Sequence, residues 1–136
     1  MIAYSTRRFA FSAGHHYTVG EWSTERNASA FGRLTTPHGH NYTLDVTVRG
    51  PIDPETGMVI DLSELKAVVG ETIVERFDHA DLNADPAFRS RVPTTENIAI
   101  VVWDLLIAKL GEERLWQVRV WEDPTLYVDY RGGGAK

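Results

Sequence analysis

The chain predicts an α+β fold, an antiparallel four-stranded sheet with two helices packed on one face. Three observations point there. Two segments alternate in the manner of strands, Phe9 to His15 and His38 to Val48; two later segments repeat apolar residues at helical spacing; and the chain closes on a pair of apolar runs around the turn Asp123-Pro124-Thr125. Two strands, a helix, a second helix and two strands is the order of a sheet whose helices lie to one side.

In the first strand, Phe9, Phe11, Ala13 and His15 share one side, and Ala10, Ser12 and Gly14 the other, because successive strand residues point to opposite faces. An irregular stretch follows from about His16 to Pro37, with Trp22, Phe31, Glu21, Glu25, Arg26 and Arg33 in it. A connection of that length inside a compact domain is functional or disordered, and its place between two histidine-bearing strands favours function. The second strand ends at Gly50-Pro51, and Asp53-Pro54-Glu55-Thr56-Gly57 supplies the turn residues. Asp61 then fits an N-cap with Glu64 three residues on, and Leu62, Leu65, Val69, Ile73 and Phe77 continue as a helix to about Phe77. After a second irregular stretch to Pro93, Thr94 or Thr95 caps a helix striped by Ile98, Val101, Val102, Leu105 and Leu106, which ends near Gly111. Trp116 to Glu122 and Leu126 to Tyr130 form the terminal hairpin, and the tail from Gly132 to Lys136 is expected to be flexible.

With 136 residues the chain is expected to be one domain, residues 1–136. A formal net charge of -5 argues against a global field for nucleic acid, so any anionic ligand needs a local cluster of cations. With no cysteine there is no disulfide, no thiolate ligand and no cysteine nucleophile. No apolar run long enough for a membrane span and no secretory leader is visible, so a cytoplasmic location is expected, with neither membrane nor nucleic acid as partner.

The chemistry begins at His38-Gly39-His40-Asn41-Tyr42. His38 and His40 share a strand face with Leu44, Val46 and Val48, and antiparallel pairing of the two strands brings His15, at the end of the first, beside them. Three imidazoles with no obvious fourth protein ligand describe a catalytic zinc site, with Zn–N distances of about 2.0 to 2.1 Å and one position left for water or substrate. His16 points to the other face and is excluded. Glu122 shares the parity of Trp116, Val118 and Val120, which puts a carboxylate at the end of an apolar face. A ligand presenting two adjacent N–H groups, such as a pterin or guanine edge, satisfies it. Asp78-His79 reads as an acid-base pair or as a helix-terminus feature. Thr94, Thr95 and Glu96 read as helix-capping residues whose exposed N–H groups can also bind a polar ligand.

Seven segments in order, Phe11-Ser12-Ala13-Gly14-His15, Phe31-Gly32-Arg33, His38 to Tyr42, Thr56 to Leu62, Phe77-Asp78-His79, Pro93 to Asn97 and Val120-Trp121-Glu122, resemble the 6-pyruvoyl-tetrahydropterin synthase family. That family includes the 6-carboxytetrahydropterin synthases of queuosine biosynthesis. The resemblance implies the tunnelling fold, a homohexamer built as a dimer of trimers, and active sites between subunits. It implies zinc on His15, His38 and His40, a pterin anchored by Glu122 with Thr94, Thr95 and Glu96, and proton transfer through Asp78 and His79. In the family the metal polarises the side-chain hydroxyls of 7,8-dihydroneopterin triphosphate, and triphosphate is eliminated or a two-carbon fragment released.

The family's usual base is a cysteine directly after a Phe-Gly-Lys or Phe-Gly-Arg sequence, and here that place holds Leu34. A related subgroup uses glutamate close to the paired histidines. The nearest acids here are Glu25 and Glu21, of which Glu25 is the first candidate. Arg7, Arg8, Arg26 and Arg33 are all candidates for phosphate. The expected activity is a zinc-dependent pterin lyase, against two alternatives: a pterin- or purine-binding zinc protein without turnover, and a zinc-stabilised structural domain.

Overall fold

A computed structural model of the protein describes residues 1–134. Its spine is a pair of long strands, β1 (Ile2–His15) and β2 (His38–Pro51), antiparallel from Ile2 opposite Pro51 to His15 opposite His38. The segment between them carries α1 (Thr24–Phe31) and a 3-10 turn (Gly32–Thr35). β4 (Leu115–Asp123) pairs antiparallel with β2, and β5 (Leu126–Tyr130) pairs antiparallel with β4. The sheet therefore contains the four expected strands. A fifth, β3 (Ala80–Asp81), adds two residues parallel to the end of β1, giving the order β3-β1-β2-β4-β5.

The helices α2 (Leu62–Val69), α3 (Glu75–Phe77) and α4 (Thr95–Leu110) complete an α+β fold, with their apolar residues in one core with the inner face of the sheet. That face presents Phe11, Leu44, Val46, Val48, Val118 and Val120, nearly all without solvent exposure. Burial of each such side chain stabilises by about 1.5 to 3 kcal/mol before conformational entropy is set against it. Between α2 and α3 the backbone widens into a π turn, Gly70–Val74. The reason lies in the apolar spacing. Leu65, Val69, Ile73 and Phe77 recur strictly every fourth residue, and on an α-helix that stripe drifts by about 40° per step. The wider turn takes up the drift, and all four side chains stay buried.

Two expectations are corrected. The segment from His16 to Pro37 is an ordered connection and not an irregular excursion. Ser23 caps α1 by accepting from the Arg26 N–H at 3.0 Å, and the buried Asn27 amide bonds Val19 N–H and Val19 carbonyl. Trp116 does not share the face of Val118, Val120 and Glu122. The register slips between Thr47 and Val48, so Val48 meets Leu115, which takes the core position, and Trp116 turns to the open face against Tyr4. Of the glycine tail, Gly132 adopts φ 89°, where a Cβ would meet the Trp103 indole at 2.9 Å, while Ala135 and Lys136 lie outside the described residues. No helix among the described residues is long and apolar enough to cross a membrane.

Candidate metal centre

His15, His38 and His40 meet because the register makes them meet. His15 stands opposite His38, and His40 opposite Ala13, so the three side chains leave one face within two residues of each other along the strands. Their ring centroids are 4.5 to 5.1 Å apart with the planes steeply inclined. One ring nitrogen from each lies within 4.8 Å of the others.

Backbone carbonyls set the tautomers of two of the rings. The His15 Nδ1–H donates to the Pro93 carbonyl at 2.8 Å, and the His38 Nδ1–H donates to the Thr36 carbonyl at 2.8 Å. A carbonyl only accepts, so Nδ1 holds the proton and Nε2 keeps its lone pair. The Nε2 atoms of His15 and His38 are both buried and, among the described residues, without a hydrogen-bond partner. A buried polar atom left unsatisfied costs about 1 to 3 kcal/mol. Burial also lowers the pKa of His15, partly offset by its bond to Pro93, so the ring is neutral, the form that ligates. Two orphaned lone pairs, fixed from behind by carbonyls and facing a third imidazole, fit a metal ion. The chain supplies three imidazole nitrogen donors there and, having no cysteine, no thiolate.

Glu122, near the end of β4, brings its carboxylate to the same cluster. Its Oε1 lies 3.7 Å from His40 Nε2 and 4.0 Å from His15 Nε2, and it accepts from the Thr95 hydroxyl at 3.3 Å. Thr95 is buried at the first turn of α4. Its neighbour Thr94 is the N-cap and accepts from the Asn97 N–H, while Glu96 is exposed in the first turn. The three residues singled out at this helix start thus have different tasks: Thr94 holds the helix, Thr95 holds Glu122, and Glu96 adds negative charge near Tyr17.

Asp78 and His79 follow α3. His79 has φ 61°, a left-handed conformation uncommon for any residue but glycine, which stops the helix and folds the ring back on its neighbour. Its Nδ1 lies 3.0 Å from Asp78 Oδ2, and Asp78 Oδ1 accepts the Ser12 N–H at 2.9 Å. That backbone bond, helped by His79, holds the Asp78 carboxyl below its usual range. The pair is geometrically an imidazole oriented by a carboxylate, with the ring 84% exposed. His79 lines a cleft with Ser12, Asn41 and His40.

Glu25 is exposed in the first turn of α1, and among the described residues no hydrogen bond or ion pair ties it to the histidines. Leu34 lies nearer: with Arg33, Thr36 and His38 it lines a shallow pocket, and its side chain is partly exposed. His16 stays outside the cluster and is tied to Asn83 through its backbone N–H and carbonyl. Of the arginines considered for phosphate, Arg8 is engaged by Asp45 and Arg26 is stacked over Trp22 at 3.8 Å.

Two tyrosines stand at the centre of the site, and the sequence assigns neither of them a role. Tyr42 is fully buried with its hydroxyl 3.2 Å from His15 Nδ1, and burial together with the Glu122 charge raises its pKa. Tyr17 packs edge-on against His15 at 5.1 Å and Phe31 at 5.8 Å, and Phe31 stacks on Trp22 at 5.9 Å. Burial, with Glu122 and Glu96 close by, pushes the Tyr17 hydroxyl up to about 12. Tyr42 follows the paired histidines on the same face, which was a usable signal; Tyr17 lies beyond the strand, where alternation stops.

A family model described as 6-pyruvoyl tetrahydropterin synthase matches residues 4–133. The 6-pyruvoyl tetrahydrobiopterin synthase of Drosophila melanogaster is 41% identical over 135 residues, 96% of this chain and 80% of that protein. The Homo sapiens protein of that name is 43% identical over 130 residues, 93% of this chain and 90% of that one. The solved structure of Caenorhabditis elegans 6-pyruvoyl tetrahydropterin synthase superposes with a TM-score of 0.92 at 33% identity, covering 98% of this chain and 97% of that one.

Proposed function

The chain belongs to the 6-pyruvoyl tetrahydropterin synthase family, and on that premise we propose that it is a zinc-dependent pterin lyase acting on 7,8-dihydroneopterin triphosphate. The products are 6-pyruvoyl-tetrahydropterin, by triphosphate elimination, or 6-carboxytetrahydropterin or a related pterin, by side-chain cleavage. The observation that carries this reading is the pair of buried, unpartnered Nε2 atoms on His15 and His38, beside His40 and within reach of the Glu122 carboxylate.

His15, His38 and His40 would hold zinc, which when bound acts as a Lewis acid on the substrate's side-chain oxygens. Glu122 accepts the two parallel N–H groups of the pterin edge, and Thr95 keeps its carboxylate turned toward them. The carboxylate close to the three rings sets the pterin's ring end and its side chain on the same patch of surface. Asp78 keeps the Nδ1 proton of His79 on its own side, which leaves the ring's Nε2 to take or give a proton.

The assembly that suits this division of labour is a homohexamer, a dimer of trimers with sites between subunits. The outer edge of β1 before Ser12, and that of β5, have no strand partner among the described residues and can pair with other copies, and the exposed His79 ring is placed to serve a neighbouring site.

A second reading is a pterin- or purine-binding zinc protein without the lyase step. Leu34 favours it, since a partly exposed leucine stands beside His38 where the family has an acid-base residue, and Glu25 is the nearest replacement. Incubating zinc-loaded protein with 7,8-dihydroneopterin triphosphate and identifying products by mass spectrometry separates the two. Loss of triphosphate or of the two-carbon fragment supports the lyase; tight pterin binding with intact substrate supports the second reading.

A further inference from the structure

Tyr42 stands behind the metal centre, and the proposed chemistry gives it no task. It is fully buried, and its hydroxyl oxygen lies 3.2 Å from His15 Nδ1. The same Nδ1 lies 2.8 Å from the Pro93 carbonyl oxygen. Two oxygens thus share one ring nitrogen, one from β2 and one from the segment that leads into α4. The Tyr42 ring is itself fixed, since Phe11 faces it across β1 and β2 and stacks on it at 5.2 Å with the planes 18° apart.

The roles of the two oxygens follow from what each can do. If the Tyr42 O–H donated to Nδ1, that nitrogen would carry a lone pair and the ring proton would sit on Nε2. The Pro93 carbonyl would then face a lone pair at 2.8 Å, two acceptors in contact with no proton between them. Nε2, the atom left open toward His38 and His40, would be blocked as a ligand. With the proton on Nδ1, both oxygens accept it in a three-centre bond, the shorter arm to Pro93 and the longer to Tyr42.

We propose that Tyr42 is a positioning residue for the metal, the second acceptor that holds His15 Nδ1–H and keeps the Nε2 lone pair turned into the site. This rests on the reading of His15 as a zinc ligand. One acceptor leaves the ring free to tilt about that bond; two acceptors from different elements fix its plane. Both also draw on the proton, which makes Nε2 a better donor to a cation. His38 is held differently, by the Thr36 carbonyl two residues back along its own chain. The effect of the Tyr42 hydroxyl is therefore confined to His15.

The test uses the full chain, zinc, and Tyr42→Phe, which keeps the ring on Phe11 and removes the hydroxyl. Zinc affinity, read by competition with a chelator, is expected to fall about tenfold, the low end of the roughly 10- to 100-fold typical of a ligand's supporting partner, because Pro93 remains. Proton–nitrogen correlation spectra of the zinc-free chain are expected to place the His15 ring proton on Nδ1. In Tyr42→Phe part of it moves to Nε2, with the His38 signals unchanged. A His15 proton on Nε2 in the unmodified chain overturns the proposal, and that measurement stands even if the variant does not fold. Unchanged zinc affinity in Tyr42→Phe overturns it too, and so does tighter binding, which would make the hydroxyl a donor competing with the metal. A merely structural role would disturb the His15, His38 and His40 signals together and leave the His15 tautomer alone, and that outcome also counts against it. His15→Ala separates the proposal from the reading beneath it. If that variant holds zinc as tightly as the unmodified chain, the ligand reading fails and Tyr42 falls with it; if it loses zinc while Tyr42→Phe does not, only the proposal fails.

Discussion

The two faces of the β1–β2 pair bury polar groups in opposite ways. On the open face, Asp45 is buried and accepts three bonds, from Arg8 Nε at 2.8 Å, Arg8 Nη2 at 3.1 Å and Trp121 Nε1 at 3.0 Å. On the inner face, His15 is buried to the same degree or more, yet its Nε2 has no hydrogen-bond partner among the described residues. The same two strands carry both. A buried polar group whose needs are met stabilises the fold; one whose needs are left open, with its tautomer held from behind, is set up for something from outside. Burial alone does not tell a site from a scaffold, but burial together with the accounting of partners does.

The sharpest way to break this contrast is His15→Ala. With His15 as a zinc ligand, the substitution lowers zinc affinity at least about 100-fold, since a ligand is worth more than the 10- to 100-fold typical of its supporting partners, while circular dichroism is unchanged. Metal content after dialysis against a chelator checks it. A variant that keeps its zinc removes His15 from the ligand set. The opposite face should respond in the opposite sense. Asp45→Ala leaves Arg8 largely solvated but strands the Trp121 N–H, at about 1 to 3 kcal/mol in urea unfolding, with zinc affinity unaltered.

The same carboxylate gives a smaller, pH-dependent effect. Burial alone would raise the Asp45 pKa, but the bonds from Arg8 and Trp121 outweigh it and the net shift is downward. A folded value below the unfolded one means that Asp45 adds stability above the unfolded value of about 3.9, and that this is lost as pH falls through the folded value. Stability of the unmodified chain should therefore decline from about pH 5 downward, and the decline should be shallower in Asp45→Asn. Equal slopes in urea unfolding between pH 3 and 6 would show that the pair contributes nothing.

The least effect is expected where the site itself carries backbone strain. His79 holds a left-handed φ that glycine adopts without penalty, so His79→Gly should gain up to about 1 kcal/mol of stability while losing the proposed proton transfer. A loss of stability would mean that the exposed imidazole contributes packing.

The meeting of the three histidines is legible in the sequence because two rules suffice, alternation of faces and antiparallel pairing of neighbouring strands, and both strands run unbroken to the residues concerned. Glu122 is legible by parity for the same reason, whereas Trp116 is not, because a bulge at Thr47 and Val48 reverses parity and leaves no mark in the pattern. The helix α1 carries few signals. It is short and polar, and its Ser23 cap is followed three residues later by Arg26, where a capping box would have glutamate. The π turn is half legible, as a strict four-residue spacing that an α-helix cannot keep on one face. The Pro93 and Thr36 carbonyls that orient His15 and His38 are main-chain groups, which residue types do not reveal. Tyr17 reaches the site from a connection, where neither period applies.

The central claim is that the unpartnered nitrogens of this inner face exist to hold a metal. Zinc K-edge absorption on the chain reconstituted with one equivalent of zinc tests it most directly. The expected spectrum has three nitrogen neighbours of imidazole type at about 2.0 to 2.1 Å and one further light ligand, and it is lost in His15→Ala. Zinc that binds only weakly, with an all-oxygen shell indistinguishable from the aqueous ion, would contradict it.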